Sequence, residues 1–184
     1  MSPEELGKLF PVILTAYDPA WNGLYHAEKE IITESLGTDR VFRIEHIGST
    51  AIAGIRSKPS IDILLEVPEN TEDRFLLESI QNLGYQYIHR PDNPAPHMMF
   101  VKGYTLQGFK GQVFHIHVRY PGDWDEICFR DYLNDHPGMA GEYEKLKMRL
   151  ATDYMNDRDG YTDAKSDFVA SVVTLARIRK NAGD

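Results

Sequence analysis

The chain has 184 residues, 42% of them hydrophobic and 26% charged, with a formal net charge of -8 at pH 7. That balance suits one folded domain spanning 1–184 and excludes a disordered tail or a coiled coil. The acidic surplus argues against a nucleic-acid partner, and no apolar run approaches the ~20 residues of a membrane span. A single cysteine, Cys128, leaves no disulfide framework or multi-thiolate zinc site and fits a reducing, cytoplasmic setting. The opening Met1-Ser2-Pro3-Glu4-Glu5 lacks the basic and apolar regions of a secretory signal.

In chain order, a short strand is predicted near Val12–Thr15. Asp18 then caps a helix, with Pro19 at its first position, that runs to about Leu36. A strand from Arg40 to Glu45 leads into a glycine turn, and a second strand runs from Ser60 to Val67. A helix from Thr71 to Asn82 ends at Gly84. Tyr85–His89, Met98–Lys102 and Gln112–Arg119 read as three further strands, the first two separated by the proline-rich loop Arg90–Pro96. Helices are predicted over Asp123–Asp135, Pro137–Asn156 and Thr162–Arg179, and Cys128 reads as a small core residue of the first of them. Strands first and helices last indicate an α+β fold: a small mixed sheet with flanking helices and a C-terminal helical cap.

Two stretches carry potential chemistry. In Glu45-His46-Ile47-Gly48-Ser49-Thr50 a strand ends in a tight turn bearing two hydroxyls, a suitable seat for phosphate oxygens or simply a helix cap. Asp62 follows on a strongly apolar strand, where period two sets Asp62, Leu64 and Glu66 on one face. A carboxylate there must be paired, hydrogen-bonded or metal-bound. Phe114-His115-Ile116-His117-Val118-Arg119 alternates so that both histidines and Arg119 share a face. Two imidazoles alone do not close a zinc site. Near the C-terminus, Lys147 flanks an apolar helical stripe, and Lys165 shares one with Tyr161, Phe168 and Val172. Each lysine either snorkels past the core or aims into a cleft.

The strings Tyr17-Asp18-Pro19-Ala20-Trp21, Glu45–Ala51, Lys58–Leu64, His115-Ile116-His117-Val118, Phe129-Arg130-Asp131-Tyr132-Leu133 and Tyr161-Thr162-Asp163-Ala164-Lys165 closely resemble the GrpB family. These bacterial proteins are assigned to the nucleotidyltransferase superfamily of the DNA polymerase β type, and a similar domain is fused to the dephospho-coenzyme-A kinase of some bacteria. The resemblance implies that Gly48, Ser49 and Thr50 form a phosphate turn and that Asp62 is the first metal-binding carboxylate. It implies a divalent cation, magnesium or manganese, that bridges nucleotide phosphates. The second acid of the superfamily pattern is replaced by Leu64 and the third by His115 or His117, with Glu66 a distant substitute. The expected ligand is a nucleotide or related phosphorylated small molecule, contacted also by Lys58, Arg130, Lys147, Tyr161 and Lys165. A histidine would serve as base or extra metal ligand. The alternatives are an inactive sensor or interaction module and a metal-dependent hydrolase built on Asp62, His115 and His117.

Overall fold

The computed structural model describes residues 2–183. A five-stranded sheet runs in the order β1-β2-β5-β4-β3, with β1 at Arg43–Ile47, β2 at Ser60–Glu66, β3 at Gln86–His89, β4 at Met98–Thr105 and β5 at Gly108–Arg119. Only the central β2–β5 pair is parallel; the others are antiparallel. Seven helices accompany it: α1 Pro3–Leu9, α2 Ala20–Leu36, α3 Asp73–Gln81, α4 Asp125–Asp135, α5 Pro137–Asp153, α6 Arg158–Asp163 and α7 Ser166–Ala182. The α+β reading therefore holds. No helix among the described residues is long and apolar enough to cross a membrane.

The two faces of the sheet differ in kind. One packs on α2 and α3 through Ile61, Ile63, Leu65, Phe114, Ile116 and Val118 against Ile32, Leu36, Leu76 and Ile80. Each such side chain contributes about 1.5–3 kcal/mol when fully buried. Glu28 stands in the buried stripe of α2, where Lys102 Nζ at 2.5 Å and the Tyr85 hydroxyl at 2.8 Å satisfy it. The opposite face carries Asp62, His115 and His117, and α4 to α7 close over that side around Ile52, Phe129, Tyr143 and Val172. Cover on both faces explains why β2 is an almost unbroken apolar run.

Several predicted boundaries move. The strand expected at Val12–Thr15 is a single bridge, Thr15 to Ser57. Helix α1 was not anticipated, although Ser2 and Glu5 form a capping box with Pro3 in the first turn. Asp18 caps α2 as expected, accepting from the Ala20 N–H at 2.9 Å. The predicted last helix is in fact two, α6 and α7, meeting at Lys165. Cys128 is half-buried rather than part of the core, with its Sγ 3.8 Å from Asp123 Oδ1.

Candidate functional site

The parallel register sets Asp62 opposite His115, Leu64 opposite His117 and Glu66 opposite Arg119. His115 Nδ1 lies 2.8 Å from Asp62 Oδ1, and His117 Nε2 lies 3.5 Å from the same oxygen. Gly48 follows β1 at φ 74 and ψ -175, and a Cβ placed there would sit 2.5 Å from Asp62 Oδ2. The turn, the acid and both imidazoles thus converge on one spot. Ser49 Oγ is 3.5 Å from the buried Tyr143 hydroxyl.

Thr50 faces inward instead. Its hydroxyl donates to the Ser60 carbonyl at 3.0 Å, while Oγ1 lies 2.9 Å from His46 Nε2. With the hydroxyl proton so used, Nε2 must carry hydrogen, and His46 is neutral. Burial lowers its pKa from 6.5 to about 4, reinforced by Arg130 and opposed by Asp62. The unfolded chain protonates this histidine near 6.5 and the folded chain only near 4. Stability therefore falls as pH drops through that window and is unaffected by this group above it. We expect His46 to account for a loss of about 3 kcal/mol between pH 7 and pH 4, read from urea unfolding midpoints and reduced in His46→Gln.

Tyr104 was not foreseen from sequence. A register shift between Lys102 and Tyr104, with Gly103 at φ 96, inserts one residue into β4. One extra residue moves the following side chains to the other face, so Tyr104 pairs with Phe109 and stacks on His115 at 5.7 Å. Arg158 Nη2 donates to the Tyr104 hydroxyl at 2.9 Å, and that hydroxyl lies 2.7 Å from His115 Nε2. Arginine can only donate, so the tyrosine proton points to Nε2 and His115 bears its hydrogen on Nδ1, facing Asp62. Burial would raise the Asp62 pKa, but the hydrogen bonds from His115 and His117 outweigh it and hold the carboxyl far below its usual range.

Cations surround this carboxylate. The Lys58 and Lys165 ammonium groups lie 5.0 and 4.2 Å from the centroid of the buried Tyr161 ring. Burial depresses Lys58 to about 7, assisted by Arg158 and Lys165 and opposed by Asp62. Burial likewise depresses Lys165 to about 8, with Asp62 opposing and Arg158 assisting. Lys147, only 1% exposed, donates to the Arg56 carbonyl at 2.5 Å and to Ser57 Oγ at 3.2 Å. Its pKa falls to about 7 through burial and the charges of Lys165 and Lys58, with Glu144 opposing. It supports the cluster from beneath instead of reaching a ligand. Arg130 is engaged elsewhere, with Glu45 at 2.7 Å, Asp131 at 2.7 Å and the His46 carbonyl at 2.9 Å.

Glu66 does not join the site. It is fully buried and accepts from Arg43 Nε at 2.8 Å, Arg43 Nη2 at 2.7 Å, Trp124 Nε1 at 2.6 Å and the Gly122 N–H at 3.1 Å. The residues also fit a divalent metal poorly. Both ring nitrogens of His115 are hydrogen-bonded, so neither lone pair faces a cation, and Leu64 fills the second carboxylate position. Among the described residues no group of three or more His, Cys, Asp or Glu side chains is arranged to hold a metal ion.

The model of the GrpB protein family matches residues 11–174. The chain belongs to the GrpB family. It is 38% identical to the glutamate-rich protein GrpB of Alkalihalophilus pseudofirmus over 167 residues, covering 88% of this chain and 94% of that one. It is 39% identical over 160 residues to a UPF0157 protein of Pseudomonas aeruginosa, covering 86% of this chain and 65% of that one. The crystal structure of GrpB from Enterococcus faecalis aligns with a TM-score of 0.79 at 26% identity, over 91% of this chain and 99% of that chain. This GrpB architecture is consistent with a nucleotidyltransferase-like fold.

Proposed function

We propose that this GrpB-family protein binds a nucleotide or related phosphorylated small molecule between the Gly48–Ser49 turn and the C-terminal helices. The observation that carries the reading is the gathering of Lys58, Lys165 and Arg158, backed by Lys147, around a single ionised carboxylate. Buried cations that depress one another's protonation stabilise an anion placed among them. Flexible ammonium groups and a planar guanidinium suit phosphate oxygens. Asp62 Oδ2, against the glycine turn, can accept a hydrogen bond from a ligand hydroxyl such as that of a ribose.

Titration calorimetry with ATP and Mg²⁺ at pH 7 tests the reading. Saturable binding is expected for ATP and none for adenosine, with a loss of about tenfold in Ser49→Ala if its hydroxyl meets the phosphate. Absence of ATP binding, or equal binding of adenosine, defeats it. Nucleotidyl transfer is a second reading, favoured by the Arg158–Tyr104–His115–Asp62 chain of hydrogen bonds, which holds one imidazole tautomer against an ionised acid. Pyrophosphate release from ATP with Mg²⁺ or Mn²⁺, abolished by Asp62→Asn, is the result it requires.

A further inference from the structure

The site is poor in oxygen ligands and rich in fixed cations. Magnesium prefers six oxygen ligands in near-octahedral array, usually with one or two carboxylates from the protein. Here Asp62 Oδ1 already serves His115 and His117, leaving Oδ2 beside Gly48 as its remaining oxygen. Lys58, Lys165 and Arg158 set three cationic groups against that one carboxylate. A divalent ion entering the same space would be repelled by them, whereas a dianionic phosphoryl group would balance their excess.

Resting on the phosphate-binding reading above, we propose that the phosphoryl group is neutralised directly by Lys58, Lys165 and Arg158, so that binding requires no divalent cation. Lys58 and Lys165 flank one aromatic ring, that of Tyr161, and neither forms an ion pair among the described residues. Arg158 is held by the Tyr104 hydroxyl and, at 3.3 Å, by the Phe10 carbonyl. The three cations therefore come preset, two from the segment spanning α6 and the start of α7 and one from the chain that precedes β2.

Protonation should be coupled to occupancy. The charged groups felt by Lys58 and Lys165 are each other, Arg158 and Asp62, and Lys147 beneath them is balanced in part by Glu144. An anion favours the ammonium forms, so its binding takes up protons near pH 8 and weakens as pH rises beyond that value.

ATP calorimetry in EDTA, compared with excess Mg²⁺, decides the matter. Affinity in EDTA is expected to match or exceed that with Mg²⁺, because the cation masks charge that the lysines recognise. Affinity should fall about tenfold or more between pH 7 and pH 9, with proton uptake seen as a dependence of the heat on buffer ionisation. Lys58→Met and Lys165→Met should each weaken binding about 10–100-fold. Should either variant fail to fold by circular dichroism, the EDTA and pH series on the unaltered protein still decide. Binding seen with Mg²⁺ or Mn²⁺ but lost in EDTA overturns this inference and leaves the phosphate reading standing. No ATP binding under either condition overturns both.

Discussion

Glu66→Ala is expected to lower the unfolding free energy by about 3–5 kcal/mol, the usual consequence of removing one partner from a buried ion pair. The carboxylate is wholly enclosed and accepts four hydrogen bonds from Arg43, Trp124 and Gly122. Its loss leaves the Arg43 guanidinium, 34% exposed, with no carboxylate opposite and the indole N–H without its acceptor. Against a typical total of about 5–15 kcal/mol, that is a severe defect. Urea unfolding measures it. Glu66→Gln keeps an oxygen for Trp124 and Gly122 and should fall between wild type and alanine. A change below about 1 kcal/mol in Glu66→Ala would remove the case for Glu66 as an anchor.

Gly48→Ala should cost about 2–4 kcal/mol and abolish ligand binding. Its backbone, at φ 74 and ψ -175, lies in a region that is essentially glycine-only, where strain alone costs about 1–3 kcal/mol. The added methyl would also stand 2.5 Å from Asp62 Oδ2, and two histidines hold that carboxylate in place. Gly54→Ala is the internal control, because Gly54 has φ 79 but open space where its new methyl would stand. Gly48→Ala should exceed it by about 1 kcal/mol or more. Equal losses in the two variants would mean that the glycine–carboxylate contact contributes nothing.

The sequence carries the fold well where local rules act. Period two in β2 and β5 foretells which side chains share a face, and Gly84 at φ 85 ends the turn after α3 as anticipated. What it does not carry is register between distant strands. Pairing of Asp62 with His115 joins positions 53 apart and depends on a parallel alignment that no turn specifies. Tyr104 was hidden for the opposite reason: one inserted residue at Gly103 reversed the alternation that pattern reading relies on. A glycine inside a strand pattern is the available hint. Arg158, too, belongs to no motif by itself, since its meaning comes from the tyrosine it meets. Glu66 and Lys147 mislead because a charge in an apolar context signals burial with equal force whether it serves a ligand or the scaffold.

The order in which the site's parts occur along the chain has a consequence for biosynthesis. Gly48, Asp62, His115 and His117 leave the ribosome well before Arg158 and Lys165. A nascent chain can pair its five strands while one side of the sheet still lacks its helical cover and most of its cationic wall. Recognition of an anion therefore awaits the final stretch of translation, and a phosphorylated ligand supplied then would favour the finished molecule over any partly made one.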